Sequence, residues 1–198
     1  MSRVVAIVEG DGEVEAIPVL LRNISNRVTP NEYPEILPPI RVRRDRFLNI
    51  EEDFSRHLLL AHAKCKSDGW ILIVLDADDD CPKDLSARLL ERAKTLLPLA
   101  RISVVLANRE YEAWFIASAQ SLHGKRGFEC LEQSADAETP RDAKGWMREH
   151  MQSGAYRPRT DQPAFSAALD VDLAARNSRS FRKLVKEWQL QLAHDAPA

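Results

Sequence analysis

The residues best suited to chemistry in this chain are carboxylates that follow short apolar runs. Glu9 comes after the run at 3–8 and precedes Gly10, with Glu13 three residues further on. Asp76 closes the run at 70–75 and leads into Asp78, Asp79 and Asp80. Glu110 and Glu112 follow the run at 102–106. In an open parallel sheet, functional groups gather at the carboxyl ends of the strands, so these acids are expected along one edge. Carboxylates crowded in that way repel one another unless cations neutralise them. Oxygen-only donors with no Cys or His close by favour Mg²⁺ or Mn²⁺. One or two such ions, ligated from one side and open on the other, suit phosphodiester cleavage, where a pair stabilises both the attacking and the leaving oxygen.

Other roles compete for the same residues. Glu13 and Glu15 fall in the first turn of an expected helix and would complement its dipole. Asp79 or Asp80, just before Pro82, can cap the helix that starts there. Basic residues able to grip phosphates are Arg41, Arg43, Arg44 and Arg46, and later Arg176, Arg179, Arg182, Lys183 and Lys186. Spacings of three and four put Arg176, Arg179, Lys183 and Lys186 on one helical face, and a solvated charged face is an equal reading. Ser178 and Ser180 can cap the final helix. Trp114, Phe115, Phe181 and Trp188 are expected in the core rather than stacked on bases. The histidines show no metal-ligand spacing.

The elements that must position these groups follow from hydrophobic periodicity. Strands are expected at 3–8, 40–43, 70–75 and 102–106. Val14, Ile17, Leu21, Ile24 and Val28 mark a helix, with Pro18 counting against it. Ile50, Phe54, Leu58, Ala61 and Cys65 mark a second helix, ended by Ser67-Asp68-Gly69, and Pro82 starts a third. The stretch 33–39 reads as a loop. The alternation of strand and helix predicts an α/β fold with a mainly parallel four-stranded sheet over 1–120. The remainder, 121–198, is expected to be a helical extension: a polar loop or insertion at 121–142, a helix at 143–151, a rigid turn at 156–163, and helices at 164–176 and 180–192. The last residues, 195–198, are expected to fray.

Composition excludes several classes. The 198 residues are 44% hydrophobic and 29% charged, as in ordinary globular proteins and unlike disordered or fibrous chains. The net charge of -2 does not fit a general nucleic-acid coater. No apolar run is long enough to span a membrane, and the first apolar stretch is too short for a signal peptide. The three isolated cysteines, Cys65, Cys81 and Cys130, point to a reducing, cytoplasmic setting.

Glu9-Gly10-x-x-Glu13 after the first strand, with Asp76-x-Asp78 after a later one, resembles the Toprim domain of topoisomerases, bacterial primases and overcoming-lysogenization-defect (OLD) nucleases. Glu110-x-Glu112 and a downstream lysine resemble the OLD-type branch more closely. Nearly the whole chain also resembles a family of small bacterial Toprim-like proteins, domain-of-unknown-function family 4276. The motifs are Val8-Glu9-Gly10-x-x-Glu13, Leu75 to Asp80, Glu110-x-Glu112-Ala113-Trp114, Asp161-Gln162-Pro163 and Ser178-Arg179-Ser180-Phe181. The resemblance implies metal binding by Glu9, Glu13, Asp76 and Asp78, with Asp80 a weaker ligand, Glu112 and Glu110 at a second site, and Glu9 in proton transfer. It implies that Lys144 stabilises charge on the phosphate, and a surface lysine is the competing reading.

The function expected on these grounds is Mg²⁺-dependent cleavage of DNA or RNA in bacterial defence, with Arg41, Arg43, Arg44, Arg179, Arg182 and Lys183 holding the nucleic acid. The chain has no GxxxxGK[ST] loop, so an ATPase partner would be separately encoded. Topoisomerase and primase activities are not expected, because no tyrosine is placed as a nucleophile and no zinc module is present. Two other readings stay open: a metal-stabilised regulatory subunit that binds nucleic acid or a partner without cutting, and a phosphotransfer domain.

Overall fold

A computed structural model describes residues 2–66, 69–132 and 136–193. The expected helix end at Ser67 and Asp68, and the fraying of 195–198, lie outside these residues. The chain forms an α/β fold with a wholly parallel sheet. The strands are β1 (Arg3–Val8), β2 (Glu35–Ile36), β3 (Ile40–Arg41), β4 (Trp70–Asp76) and β5 (Arg101–Ala107), ordered β2-β1-β4-β5, with β3 also on β1. The helices of the first half are α1 (Asp11–Val28), α2 (Arg44–Asn49), α3 (Glu51–Cys65) and α4 (Pro82–Leu96). After β5 come α5 (Ala113–Ala117), α6 (Ala119–Leu122), a 3₁₀ turn (Lys125–Gly127), α7 (Ala143–Glu149), α8 (Pro158–Ala168), α9 (Val171–Asn177) and α10 (Arg179–Ala193).

Strand alternation sorts the core into two layers. Val5, Ile7, Ile71, Ile73, Leu75, Val104 and Leu106 face Phe47, Phe54, Leu58 and Leu89 of α2, α3 and α4. Val4, Ala6, Val8, Leu72, Val74 and Val105 face α1 and the helices after β5. Trp114, Phe115, Phe181 and Trp188 are all fully buried in that second layer, so they are core residues as expected.

Several boundaries differ from the sequence reading. The strand expected at 40–43 is only Ile40–Arg41, and Glu35–Ile36 inside the expected loop is a strand as well. Both run along β1, where Leu37 N donates to Val4 O and Val42 N to Val8 O; Pro38 and Pro39, which lack N–H groups, split the ribbon. α2 was not anticipated. α1 runs through Pro18 without a break. The expected rigid turn at 156–163 is helical from Pro158, because proline suits a first helical position, and α8 continues through Pro163. The expected helix 164–176 is split at Leu169-Asp170, where the Asp170 carboxylate caps α9 by accepting from Leu173 N. Ser178 caps α10, accepting from Phe181 N. The end of α9 at Ser178 removes Arg176 from the face carrying Arg179, Lys183 and Lys186. Within 121–142, Phe128 is fully buried and pairs with Met151 in an isolated bridge.

Candidate functional site

The β1–α1 turn is the tightest part of the site. Glu13 folds back so that Oε2 accepts from Glu9 N (3.1 Å) and Gly10 N (3.2 Å). A Cβ at residue 10 would lie 2.8 Å from Glu13 Oε1, so only glycine leaves room for this. Glu13 is therefore the helix cap that was the competing reading, and it is also buried at the sheet edge. Asp76 is the last residue of β4. Beyond it Asp78 takes a left-handed backbone (φ 50°) and its N–H donates to Arg109 O, tying the acidic loop to the turn after β5.

Arg44, at the start of α2, staples that loop. Its Nε donates to Asp76 O, and Nη2 donates to Ala77 O and to Asp80 Oδ2 at 2.7 Å; Nη1 lies 3.3 Å from Asp78 Oδ2. The guanidinium expected to hold nucleic acid is thus engaged with the acids. Asp80 does not cap α4; Cys81 holds that position without a side-chain bond. Asp79 is exposed and pairs with Arg109 and Arg141.

On the other side stand Glu110, Glu112 and Lys144. Glu112 is 0% exposed. Its Oε1 accepts from Tyr156 OH (3.0 Å) and Gln162 Nε2 (2.8 Å). Lys144, in the first turn of α7, sends Nζ to within 2.7 Å of Glu110 Oε1, 3.5 Å of Glu112 Oε2 and 3.8 Å of Asp76 Oδ2. Its backbone N–H donates to Glu110 Oε2. The structure thus brings Lys144 into the cluster from another element.

The electrostatics are those of crowded, buried acids. Burial, and then Asp78, pushes the Glu9 carboxyl above its ordinary range. Burial raises Glu13 against the pull of its two N–H donors. Burial raises Asp76 well above the usual carboxylate range, with Glu13 next in effect. Burial opposes the charge on Lys144, yet Glu112, Asp76 and Glu110 outweigh it and hold the ammonium charged. These acids respond to one another, so Glu9, Glu13, Asp76 and Glu112 form one electrostatic unit, and Lys144 acts on Glu9, Asp76 and Glu112.

Tyr156 and Gln162 were not singled out from the sequence. The motif Asp161-Gln162-Pro163 contains Gln162 with no role attached, and Tyr156 falls only in the stretch read as a rigid turn. Asp161 is buried and accepts from Arg157 N and Arg126 Nε, which fixes the start of α8. Gln162 then sits over Gly12, where a Cβ would meet Gln162 Oε1 at 2.1 Å.

The remaining predicted basic residues separate into two places. Arg41 donates from Nε to Glu9 O and pairs with Asp11, with exposed Arg43 two residues on. Arg179, Arg182 and Lys183 are on α10, outside the carboxylate cluster. Arg182 donates to carbonyls at the end of α9, and Lys183 to Ser86 Oγ, where burial lowers the lysine's pKa.

Two features of the cluster fit a hard cation. The donors are all oxygen, and both Glu9 Oε2 and Glu112 Oε2 are buried without a hydrogen-bond partner. In the present side-chain arrangement, no three His, Cys, Asp or Glu among the described residues converge as a ready ligand set. Positive charge reaches the acids from the Lys144 ammonium on one side and the Arg44 guanidinium on the other.

The fold and site together define a parallel α/β protein with a buried acidic centre at the carboxyl edge of its sheet. The chain belongs to the family described as Domain of unknown function (DUF4276), which matches residues 8–188. No curated protein and no solved structure matches it. No helix among the described residues is long and apolar enough to cross a membrane.

Proposed function

We propose that this chain is a Mg²⁺- or Mn²⁺-dependent nuclease of the Toprim type, cleaving phosphodiester bonds in DNA or RNA. The observation that carries this reading is Lys144 Nζ at 3.8 Å from Asp76 Oδ2 and 3.5 Å from Glu112 Oε2, with Glu9 and Glu13 close enough to raise the Asp76 carboxyl. The order of the motifs, which resembles that of OLD-type nucleases, is the second support.

Glu9, Glu13, Asp76 and Asp78 would hold one divalent cation, with Asp80 at its margin, and Glu110 and Glu112 a second. Such ions would polarise the phosphate and neutralise its charge. Glu9 has a raised pKa and an unsatisfied buried oxygen, which suits it to take a proton from the attacking water. Lys144 keeps its charge and would stabilise the charge that builds on the phosphate oxygens. Tyr156 and Gln162 hold Glu112 in one orientation. The family resemblance extends the reading to bacterial defence, beside a separately encoded ATPase.

One observation favours a second reading, a metal-stabilised subunit that binds nucleic acid or a partner without cutting. Lys144 already neutralises part of the cluster, and no three acids among the described residues converge as a ready ligand set. The test is incubation of the chain with labelled plasmid, linear duplex, single-stranded DNA and RNA in Mg²⁺, Mn²⁺ or EDTA. Metal-dependent cutting, lost in Glu9→Gln and Asp76→Asn, is the expected result. No cutting by the wild type, with Mg²⁺ still raising its melting temperature, would favour the binding subunit.

A further inference from the structure

Beside the carboxylate cluster, a cavity of about 430 Å³ is lined by Arg41, Arg43, Arg46, Arg56, His57 and Asp53, with Val42 as its one aliphatic wall. It exists because α2, which the sequence reading missed, turns the chain back against α3. Asp53 is its organising group. The carboxylate is buried, 2.7 Å from Arg56 Nη2, 3.6 Å from Arg46 Nη2 and 3.8 Å from His57 Nδ1. His57 Nδ1 also lies 2.7 Å from Asp53 O. One buried acid thus sets three cationic or ionisable groups along one wall.

Charge and donor type identify the ligand. Four guanidiniums line the cavity against the single carboxylate of Asp53, and Asp11 at the rim takes up part of Arg41. Two positive charges are left over, matching the charge of a phosphomonoester dianion. The Arg43 guanidinium has no ion pair or hydrogen bond among the described residues, and the residue is exposed. Forked guanidinium donors can bond two phosphate oxygens at once, which single ammonium groups do less well. The volume takes a phosphate with an attached sugar, and His57 is the one aromatic ring in the lining.

We propose that this cavity binds a terminal phosphate, either at the end of a nucleic-acid strand or free as a small phosphate. Arg41 connects it to the candidate active centre, because its Nε donates to the carbonyl of Glu9 itself. A strand end seated there lies directly beside the carboxylates. The position of that end relative to a cut rests on the nuclease reading; the binding itself does not.

Binding is measured in EDTA, where no cutting occurs, with 5′-phosphorylated, 3′-phosphorylated and hydroxyl-ended versions of one labelled single strand. A preference of about tenfold or more for a phosphorylated end is expected, from charge-assisted bonds to at least one extra guanidinium. Arg43→Gln and Arg46→Gln, both exposed, should abolish the preference while leaving the melting temperature within about 2 °C. Inorganic phosphate competing against the hydroxyl-ended strand's phosphorylated twin identifies the end group as the bound element; phosphate binding with no preference between strands assigns the cavity to a free phosphate. Equal affinity for all strands with no effect of inorganic phosphate overturns the proposal. So does equal weakening of every strand by the Gln variants, which would mark a general backbone contact. Preference without any Mg²⁺-dependent cutting would remove the nuclease reading and leave this site standing, and cutting without preference would do the reverse.

Discussion

Replacing Lys144 with methionine separates a working ammonium from a surface lysine. The substitution keeps most of the side chain's length and removes its charge together with the hydrogen bond to Glu110 Oε1. At 3.5 Å from Glu112 Oε2, the ion pair amounts to about 5 kcal/mol of gross attraction at an effective dielectric of about 20. Lys144 is 40% exposed, so solvent screening and the cost of desolvation reduce the net effect to about 2 kcal/mol. Most of that loss comes from Glu112, which is 0% exposed and would keep a buried Oε2 with neither a hydrogen bond nor a cation. For a chain of this size, about 2 kcal/mol corresponds to a fall in Tm of about 4–8 °C in EDTA. Thermal melting with circular dichroism detection reads it directly. Mg²⁺ should restore part of the loss, raising the Tm of Lys144→Met by more than it raises that of the wild type, because the cation then meets no resident ammonium. An unchanged Tm in EDTA would mean that Lys144 is a solvated surface residue, and the electrostatic account of the cluster would fall.

Three further outcomes follow from the same geometry. The folded chain holds protons on Glu9, Glu13 and Asp76 more tightly than an unfolded chain does, so it binds more protons between the ordinary carboxylate values and the raised ones. Stability in EDTA should therefore rise as pH falls toward the ordinary carboxylate range and be lost on the return, with a shallower slope in Asp76→Asn; melts on the alkaline side of that range that show the opposite slope would contradict the shifts. Gly12→Ala drives a Cβ to within 2.1 Å of Gln162 Oε1, and should cost about 1–3 kcal/mol in urea denaturation, part of it recovered when Gln162→Ala is added. Trp188→Ala empties the contact between α10 and the sheet, where its ring meets Trp70 at 5.8 Å between centroids, and should cost about 3–5 kcal/mol by the same measurement.

The strands that carry Glu9 and Asp76 were legible because a buried parallel strand is a short, unbroken β-branched run, and both runs end abruptly at acids. Asp78 and Glu112 were legible for the same reason, by position after a strand. Gln162 and Tyr156 were not. Their segment contains Pro158 and Pro163, which locally argue for a turn, and the helix there is held by its docking on α1 around Gly12. α2 was hidden because six residues rich in arginine carry no apolar period, and Phe47 is its one buried anchor. Arg44 showed a second limit. Composition marked it as a phosphate ligand, yet only the fold brings it against Asp76, Ala77 and Asp80. Lys144 lies 34 residues beyond Glu110, and no local pattern links the two; its contact depends on the way α7 returns to the sheet edge.

The central claim is that these carboxylates form a divalent-cation site. Calorimetric titration of Mn²⁺ into the wild-type chain and into Asp76→Asn tests it without assuming any substrate. The account predicts saturable binding of one or two ions by the wild type, with release of protons from the raised carboxyls, and affinity at least tenfold weaker in Asp76→Asn. No saturable binding by the wild type, or equal binding by both proteins, would contradict it.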